Sequence, residues 1–511
     1  MQQRLLNGFS WYSITINKII FYTCGITLAV LFLERLGIIF SYEGHTAGID
    51  NNFDYPIIRS LAGYSLYPNP SAYPFAVNPY APLFFIICKS AALIFHIQAI
   101  DTISVYRISR SVALLADTGT GILIFLILRK LLKASMMLTI SVIALFFCVI
   151  CFLGYTINRS DSLFLFFYCG TLFVLIRRSF AANRLQPLIT AVLVTLCIYS
   201  KQNGISLLLL VPVWFAQEKD YRSLLQFLFL TFFFCAGLFV YFEYYYTDHF
   251  FSEHIIHALK NKIDPRWFYI YVFKLTAGSY LTLPLAVSFI ISVRSIAGNS
   301  NQLLKKLGWF FFLQFFFSTA LCFKWGSSQG YYNESFLTAF IVIAAFYKNT
   351  ISPKLQLFVK LAGMYTYPAL LVMLIHVTAQ LFFFFLNSKA EAKEKFNEQV
   401  EVSNYIRKEI GIQNRYVIDL SGADFNFFKN LLYKECAAPN IDAVSCCTLP
   451  AGIFDYSELL SDLKTGKILF LIERKDFSPG SLWGVDIEHF KEDTTFKSYR
   501  ICKYDPSKLN R

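Results

Sequence analysis

Apolar residues in this chain gather into runs near twenty long, broken by short polar punctuation, and do not alternate with polar ones. The runs fall near 14–33, 82–100, 104–128, 134–154, 161–176, 187–200, 203–216, 223–246, 268–293, 307–323, 334–347 and 357–386. An α-helix needs about twenty apolar residues to cross roughly 30 Å of hydrocarbon. The pattern therefore predicts a polytopic α-helical membrane protein. Lys89 and His96 interrupt 82–100, which reads as an interfacial helix on the outer surface. About eleven transmembrane helices remain. With that segment omitted, Arg129/Lys130/Lys133, Arg177/Arg178/Arg184, Lys219/Arg222, Arg294/Lys305/Lys306 and Lys348/Lys354 fall on the side of Arg4 and Lys18, as cytoplasmic enrichment of basic residues asks.

The N-terminus is thus expected in the cytoplasm, its first helix kept as an anchor because no small-residue cleavage site follows. The stretches 41–81, 155–161, 199–204, 247–267 and 324–334 face outward. From residue 387 the pattern turns polar and mixed, with a Lys/Glu-rich helical stretch over 389–410 and strand-like segments at 415–420 and 467–473. The reading is a membrane domain over 1–386, with a long first exported loop (41–103), and a small exported C-terminal α/β domain over 387–511.

Composition agrees. Of 511 residues, 56% are hydrophobic and 15% charged, against about a quarter charged in soluble chains, and the mean hydropathy is +0.49. The net charge of +13 reflects membrane orientation and gives no reason to expect nucleic acid. Eight of the twelve cysteines lie in or beside apolar runs. Cys436, Cys446, Cys447 and Cys502 lie in the tail, where export would permit disulfides in any of three pairings.

Candidate chemistry collects on the outer side. In the first loop, Asp50 and Asp54 are spaced to share one face of a helical turn; a carboxylate beside an apolar pocket can act as general base, and the plain alternative is a pair of solvated loop acids. Arg159 and Asp161 sit at the mouth of an apolar helix, where charge is costly unless used or paired. A guanidinium suits phosphate; the alternative is a capping pair. Asn158, Arg159 and Ser160 also match the short N-glycosylation pattern. Lys201 and Gln202 break an apolar run, Lys324 and Glu334 flank a Gly/Ser loop, and His249, His254 and His257 fall in a stretch that reads as an interfacial amphipathic helix better than as metal ligands. A transporter would carry ionisable residues near mid-span, for which Glu243 is the main candidate.

The order of these pieces resembles the GT-C superfamily of integral-membrane glycosyltransferases, in particular the bacterial protein O-mannosyltransferase and aminoarabinose-transferase group. Asp50 precedes Gly63, Tyr67 and the segment NPYAPLFF (78–85). Arg159 and Asp161 match an Arg-x-Asp element, Lys201 and Gln202 a Lys-Gln hairpin tip, and Lys324, Gly326, Ser327, Tyr331 and Glu334 a late Lys-to-Glu pattern, from which Ser328 and Gly330 depart. The tail segment 454–472 is similar to the exported portion of some bacterial members.

That resemblance implies an inverting transfer of a sugar from a polyprenyl-phosphate donor to an acceptor hydroxyl at the extracytoplasmic face of a bacterial plasma membrane. It makes Asp50 the general base, with Asp54 the runner-up. Arg159, Lys201 and Lys324 would stabilise the departing phosphate. Tyr67, Tyr73 and Tyr80 would stack on sugar or line a lipid groove, and Asp161, Gln202, Glu334 and His254 complete the donor-binding set. The acceptor is a lipid, glycan or protein, and no cofactor or metal is called for. A transporter or flippase of lipid-linked saccharides is the alternative.

Overall fold

The computed structural model describes residues 2–42, 51–153, 158–179, 184–247, 249–256, 263–270, 282–298, 301–324, 329–349, 391–410, 415–421, 428–438, 454–476, 481–482 and 485–508. Asp50, His257, Cys446, Cys447 and the expected crossing 357–386 lie outside them.

The membrane part runs α1 (Gln2–Ile39), α2 (Asn51–Leu61), α3 (Leu83–Ile94), α4 (Thr102–Leu126), α5 (Met136–Leu153), α6 (Ser160–Arg178), α7 (Gln186–Ser200), α8 (Leu207–Gln217), α9 (Tyr221–Tyr241), α10 (Phe251–Ile256), α11 (Thr282–Ala297), α12 (Gln302–Leu321) and α13 (Asn333–Asn349). Among the described residues, four helical stretches are long and apolar enough to cross a membrane by length and composition: Lys18–Ile39, Thr102–Leu131, Ser160–Arg178 and Tyr221–Tyr246. At 1.5 Å per residue, the 12 residues of α3 reach about 18 Å, too short to cross. Polar residues start the long helices. Asp101 accepts from the Ser104 N–H at 3.0 Å, Asp220 from that of Ser223 at 3.0 Å, and Asn301 from that of Leu303 at 2.9 Å, each satisfying an amide that the first turn leaves open.

One apolar core joins α4–α8 to α11–α13, and a second lies beneath the first loop, joining α2 and α3 to Tyr433 and Ala438 of the tail. Buried ion pairs thread the bundle. At the end of α6, Arg178 bonds Glu218 Oε2 at 2.8 Å and also Asp220, while Lys306 of α12 bonds Glu218 Oε1 at 2.7 Å. Two side chains expected merely to mark the cytoplasmic surface are thus ties between helices. Arg35 of α1 pairs with Asp117 of α4 at 2.8 Å, both buried, and Arg110 donates to the Ile38 carbonyl at 2.9 Å.

The tail opens with the helix over 391–410 (α14) and adds β1 (Tyr416–Leu420), β2 (Cys436–Ala437), α15 (Ser457–Thr465), β3 (Ile468–Arg474), β4 (Ser481–Leu482), β5 (Val485–Asp486), β6 (Phe490–Thr495) and β7 (Tyr499–Tyr504). Its five-stranded sheet has the order β2-β1-β3-β7-β6; β2, β1 and β3 are parallel, and β7 and β6 antiparallel. Every residue of β1 is buried, as expected of a strand covered on both faces. Val417 packs on Val402 and Ile406 of α14, whereas Tyr416 and Ile418 face Leu459 and Leu463 of α15 together with Phe75 of the first loop. The loop is therefore part of the tail's core. Ala438 N–H donates to the Pro74 carbonyl at 2.8 Å, and Cys436 and Cys502 are buried free thiols.

Candidate active site

Helix α2 presents two faces. Asn52, Tyr55 and Arg59, at positions i, i+3 and i+7, turn toward the tail, while Phe53, Asp54, Ile57 and Ile58 are fully buried. Asp54 accepts from Ser109 Oγ of α4 and from Asn158 Nδ2, both at 2.8 Å. That bond fixes the residue before Arg159, whose guanidinium lies 5.5 Å from the Phe53 ring centre. Asn158 has no exposed surface, so it is a buried hydrogen-bond donor and no glycosylation acceptor.

At the start of α6, Asp161 meets Lys201 Nζ at 2.6 Å and Arg159 Nε at 3.5 Å. Two cations thus converge on one carboxylate. Lys201 ends α7 because its backbone is extended, and Gly204 then lets the chain fold back against that helix: a Cβ there would lie 2.7 Å from the Cys197 and Ile198 backbone. The Lys201 ammonium stands 5.2 Å from the Tyr331 ring centre. Glu334, in the first turn of α13, faces Lys201, Asp161 and Asn203; it is buried, and its Oε2 has no hydrogen-bond partner among the described residues. The wall continues through Tyr80, stacked 4.3 Å from Phe53 and pushed up to about 12 by burial. Gln202 donates to the Pro79 carbonyl and so ties the hairpin tip to the first loop.

The remaining candidates separate. Tyr67 is fully buried, its hydroxyl donating to the Tyr80 carbonyl at 2.6 Å. Tyr73 packs 4.8 Å from Tyr416 and donates to the Lys434 carbonyl, which makes it a tie to the tail. His254 is fully buried. Its Nδ1 accepts from the Asn78 N–H at 2.9 Å and its Nε2 donates to the Pro68 carbonyl at 2.6 Å, so both ring nitrogens hold first-loop backbone. Burial lowers its pKa to about 4. Lys324 follows α12, joined by a bridge to Ile263, with burial holding its ammonium below the usual lysine value. Glu243 accepts from the Ser252 N–H and Oγ at 2.7 and 2.9 Å and fixes the entry to α10. Among the described residues no three His, Cys, Asp or Glu side chains gather as a metal ligand set.

Sequence reasoning missed Phe53, Asn158, Asn203, Arg59 and Lys429. Asn158 carries a signal, since it precedes the Arg-x-Asp element, but in the sequence it stands out only through a weak three-residue match to the N-glycosylation pattern.

No protein-family model matches the sequence, and no curated protein matches it. Solved structures do. ArnT from Cupriavidus metallidurans bound to undecaprenyl phosphate superposes with a TM-score of 0.56 at 12% identity, covering 94% of this chain and 97% of that one. The apo form of the same protein gives 0.56 at 12% identity over 97% and 98%. The Archaeoglobus fulgidus oligosaccharyltransferase in complex with Zn and sulfate gives 0.55 at 13% identity, over 89% of this chain and 68% of that one. Both are GT-C glycosyltransferases. The likeness runs through the helical bundle and into the tail, and on it this chain has the GT-C fold.

Proposed function

We propose that the chain is an inverting glycosyltransferase that moves a sugar from a polyprenyl-phosphate donor to an acceptor hydroxyl at the extracytoplasmic membrane face. The observation that carries this reading is the convergence of Arg159 and Lys201 on Asp161 beside the aromatic wall of Phe53, Tyr80 and Tyr331. Asp161 holds both cations at the mouth of α6, where they are placed to meet a phosphate. Donors fixed in a site poor in water stabilise developing negative charge without reorganising. The Cupriavidus ArnT structure holds undecaprenyl phosphate, a ligand of the chemistry this cluster suits.

In the proposed reaction Asp50 takes the proton of the acceptor hydroxyl, and the oxygen attacks the anomeric carbon. The anomeric C–O bond breaks with its electron pair going to the lipid phosphate, whose charge Arg159 and Lys201 meet. A phosphomonoester leaves without a general acid. Asp54, committed to Ser109 and Asn158, positions Arg159, and Glu334 Oε2 is available to accept from a sugar hydroxyl. The topology that goes with this has eleven crossings, a cytoplasmic N-terminus and an exported tail from 387 onward. The exposed Leu93, Ile94 and Phe95 at the end of α3 suit a helix lying in the membrane interface.

The test is thermal stabilisation of the detergent-purified protein by polyprenyl-phosphate sugars and by free polyprenyl phosphate. The expected result is a rise in midpoint that Arg159→Ala abolishes; a flat response to every lipid phosphate sinks the donor assignment. One observation favours transport as a second reading: Arg35 and Asp117 pair inside the apolar helices α1 and α4, where ionisable groups commonly mark a pathway. Asp50→Asn separates the two, because it abolishes transfer and leaves flipping in place.

A further inference from the structure

The tail-facing side of α2 borders a cleft lined by Asn52, Tyr55, Arg59, Asn78, Lys429 and Ala438. Arg59 and Lys429 are both more than nine-tenths buried there, and among the described residues neither forms a salt bridge. Arg59 spends one amino group on the Tyr433 carbonyl at 3.0 Å and lays its plane over Tyr64, 4.4 Å from the ring centre. Its Nε has no partner. Lys429 gives one hydrogen bond, to Asn52 Oδ1, and an ammonium has three to give. Asn78 Nδ2 is likewise buried without a partner among the described residues, and Tyr55 lies against Arg59.

Every one of these unspent groups is a donor. The carboxylates within electrostatic reach of Lys429 are Asp419 and Asp54, and both are engaged: Asp419 by Ser421 and the Phe428 N–H, Asp54 by Ser109 and Asn158. Neither carboxylate pairs directly with the ammonium among the described residues, an incompletely compensated buried cation is expensive, and burial outweighs their pull, lowering Lys429 to about 8. A cleft with two cations and a further idle donor is complementary to an oxyanion, and the open Nε–H edge of an arginine suits a planar one.

We propose that this seam is a second anion site, separate from the Arg159/Lys201 cluster, and that it takes a carboxylate or phosphate group carried by the acceptor. The acceptor assignment rests on the glycosyltransferase reading; the anion site does not. Arg59 and Asn78 come from the first loop and Lys429 from the tail, so the tail completes the site and selects acceptors by charge. This gives the exported domain a task in the reaction beyond covering the loop.

The test is thermal stabilisation of the purified full chain by inorganic phosphate and by glucuronate at fixed ionic strength, with glucose as the neutral control. Lys429→Gln, which keeps a donor for Asn52, and Arg59→Gln are the seam variants; Lys201→Met is the donor-cluster control. Free polyprenyl phosphate is run on all four proteins. The expected result is a midpoint rise of several degrees with one or both anions and none with glucose, lost in both seam variants and kept in Lys201→Met. A response to one anion alone identifies the acceptor group as phosphate or carboxylate, and a response to both supports a site for either oxyanion. A flat response to both anions, or a shift that survives both seam variants, overturns the proposal, as does a shift lost only in Lys201→Met, which places the anion in the donor cluster. Stabilisation of the seam variants by polyprenyl phosphate establishes that they fold. A flat lipid response with the small-anion response intact overturns the glycosyltransferase reading and leaves the anion site standing.

Discussion

The two ends of helix α6 carry the same kinds of residue in opposite states. At its last turn, Arg178 bonds Glu218 at 2.8 Å, Ser223 at 3.1 Å, Gln186 at 3.3 Å and Asp220 as well. Glu218 in turn takes Lys306 at 2.7 Å and Trp214 Nε1 at 3.2 Å, and Lys306 also reaches Ser179 at 2.7 Å. Two cations meet two carboxylates, and the neighbouring polar groups fill what is left. Eighteen residues earlier, about 27 Å along the axis at 1.5 Å per residue, Arg159 and Lys201 both meet Asp161, and Glu334 Oε2 nearby has no hydrogen-bond partner among the described residues. A buried ionic group is tolerable when its hydrogen bonds are complete. The saturated end is architecture that joins α6, α8, α9 and α12, and the less saturated end is where the proposed donor phosphate would sit.

The strongest way to break this contrast is Arg178→Ala. It leaves Glu218 with Lys306 as its remaining cation and Asp220 with its Ser223 bonds; removing one partner of a fully buried pair costs about 3–5 kcal/mol, and the cost here is expected below that because the Asp220 side chain is 34% exposed. Thermal or denaturant unfolding in detergent is expected to show that loss, while polyprenyl phosphate still raises the midpoint of the protein that remains folded. An unchanged unfolding curve would mean that the inner network is not a structural tie.

Lys201→Met probes the other end. Losing a fixed donor to developing charge costs roughly 10²–10³ in rate, so sugar transfer is expected to fall by that factor, while Asp161 keeps Arg159 as a partner and limits the loss in unfolding. A loss of stability matching that of Arg178→Ala, with transfer unaffected, would erase the distinction between the two ends. Asp50→Asn is next in size. Removing a general base costs on the order of 10² or more, and the variant is expected to lose transfer while keeping its response to polyprenyl phosphate; retained transfer would move the base elsewhere, with Asp54 the first alternative.

The same contrast explains what the sequence disclosed. Long apolar helices are legible because crossing hydrocarbon fixes both their length and their composition, and the strands at Tyr416–Leu420 and Ile468–Arg474 stood out because fully covered strands are continuously apolar. Arg159, Asp161 and Lys201 were visible as charges at helix mouths. What stayed hidden depends on partners far away in the chain. Arg178 and Lys306 look like ordinary cytoplasmic charges until both bond Glu218, and Arg59 becomes informative only once Tyr433 and Lys429 of the tail are packed beside it. Tyr67, Tyr73 and His254 look like ligand-facing aromatics in sequence, yet each spends its polar atoms on backbone.

His254 supplies the smallest test, since it sits close to the site yet has the saturated character of the inner network. Burial lowers its pKa to about 4 from the 6.5 of a free imidazole, so it stays neutral while the unfolded chain takes up a proton. The neutral histidine therefore contributes its full stability above pH 6.5, and that contribution is lost as the pH falls toward 4. With 1.36 kcal/mol per pH unit, the loss is about 1 kcal/mol at pH 5.5 and at most about 3 kcal/mol in stronger acid. Unfolding midpoints measured from pH 8 to pH 4.5 are expected to fall for the native protein and to fall less steeply for His254→Gln, which can still accept from Asn78 and donate to the Pro68 carbonyl. An equal slope in both would place the acid sensitivity elsewhere and remove His254 from the set of saturated structural groups.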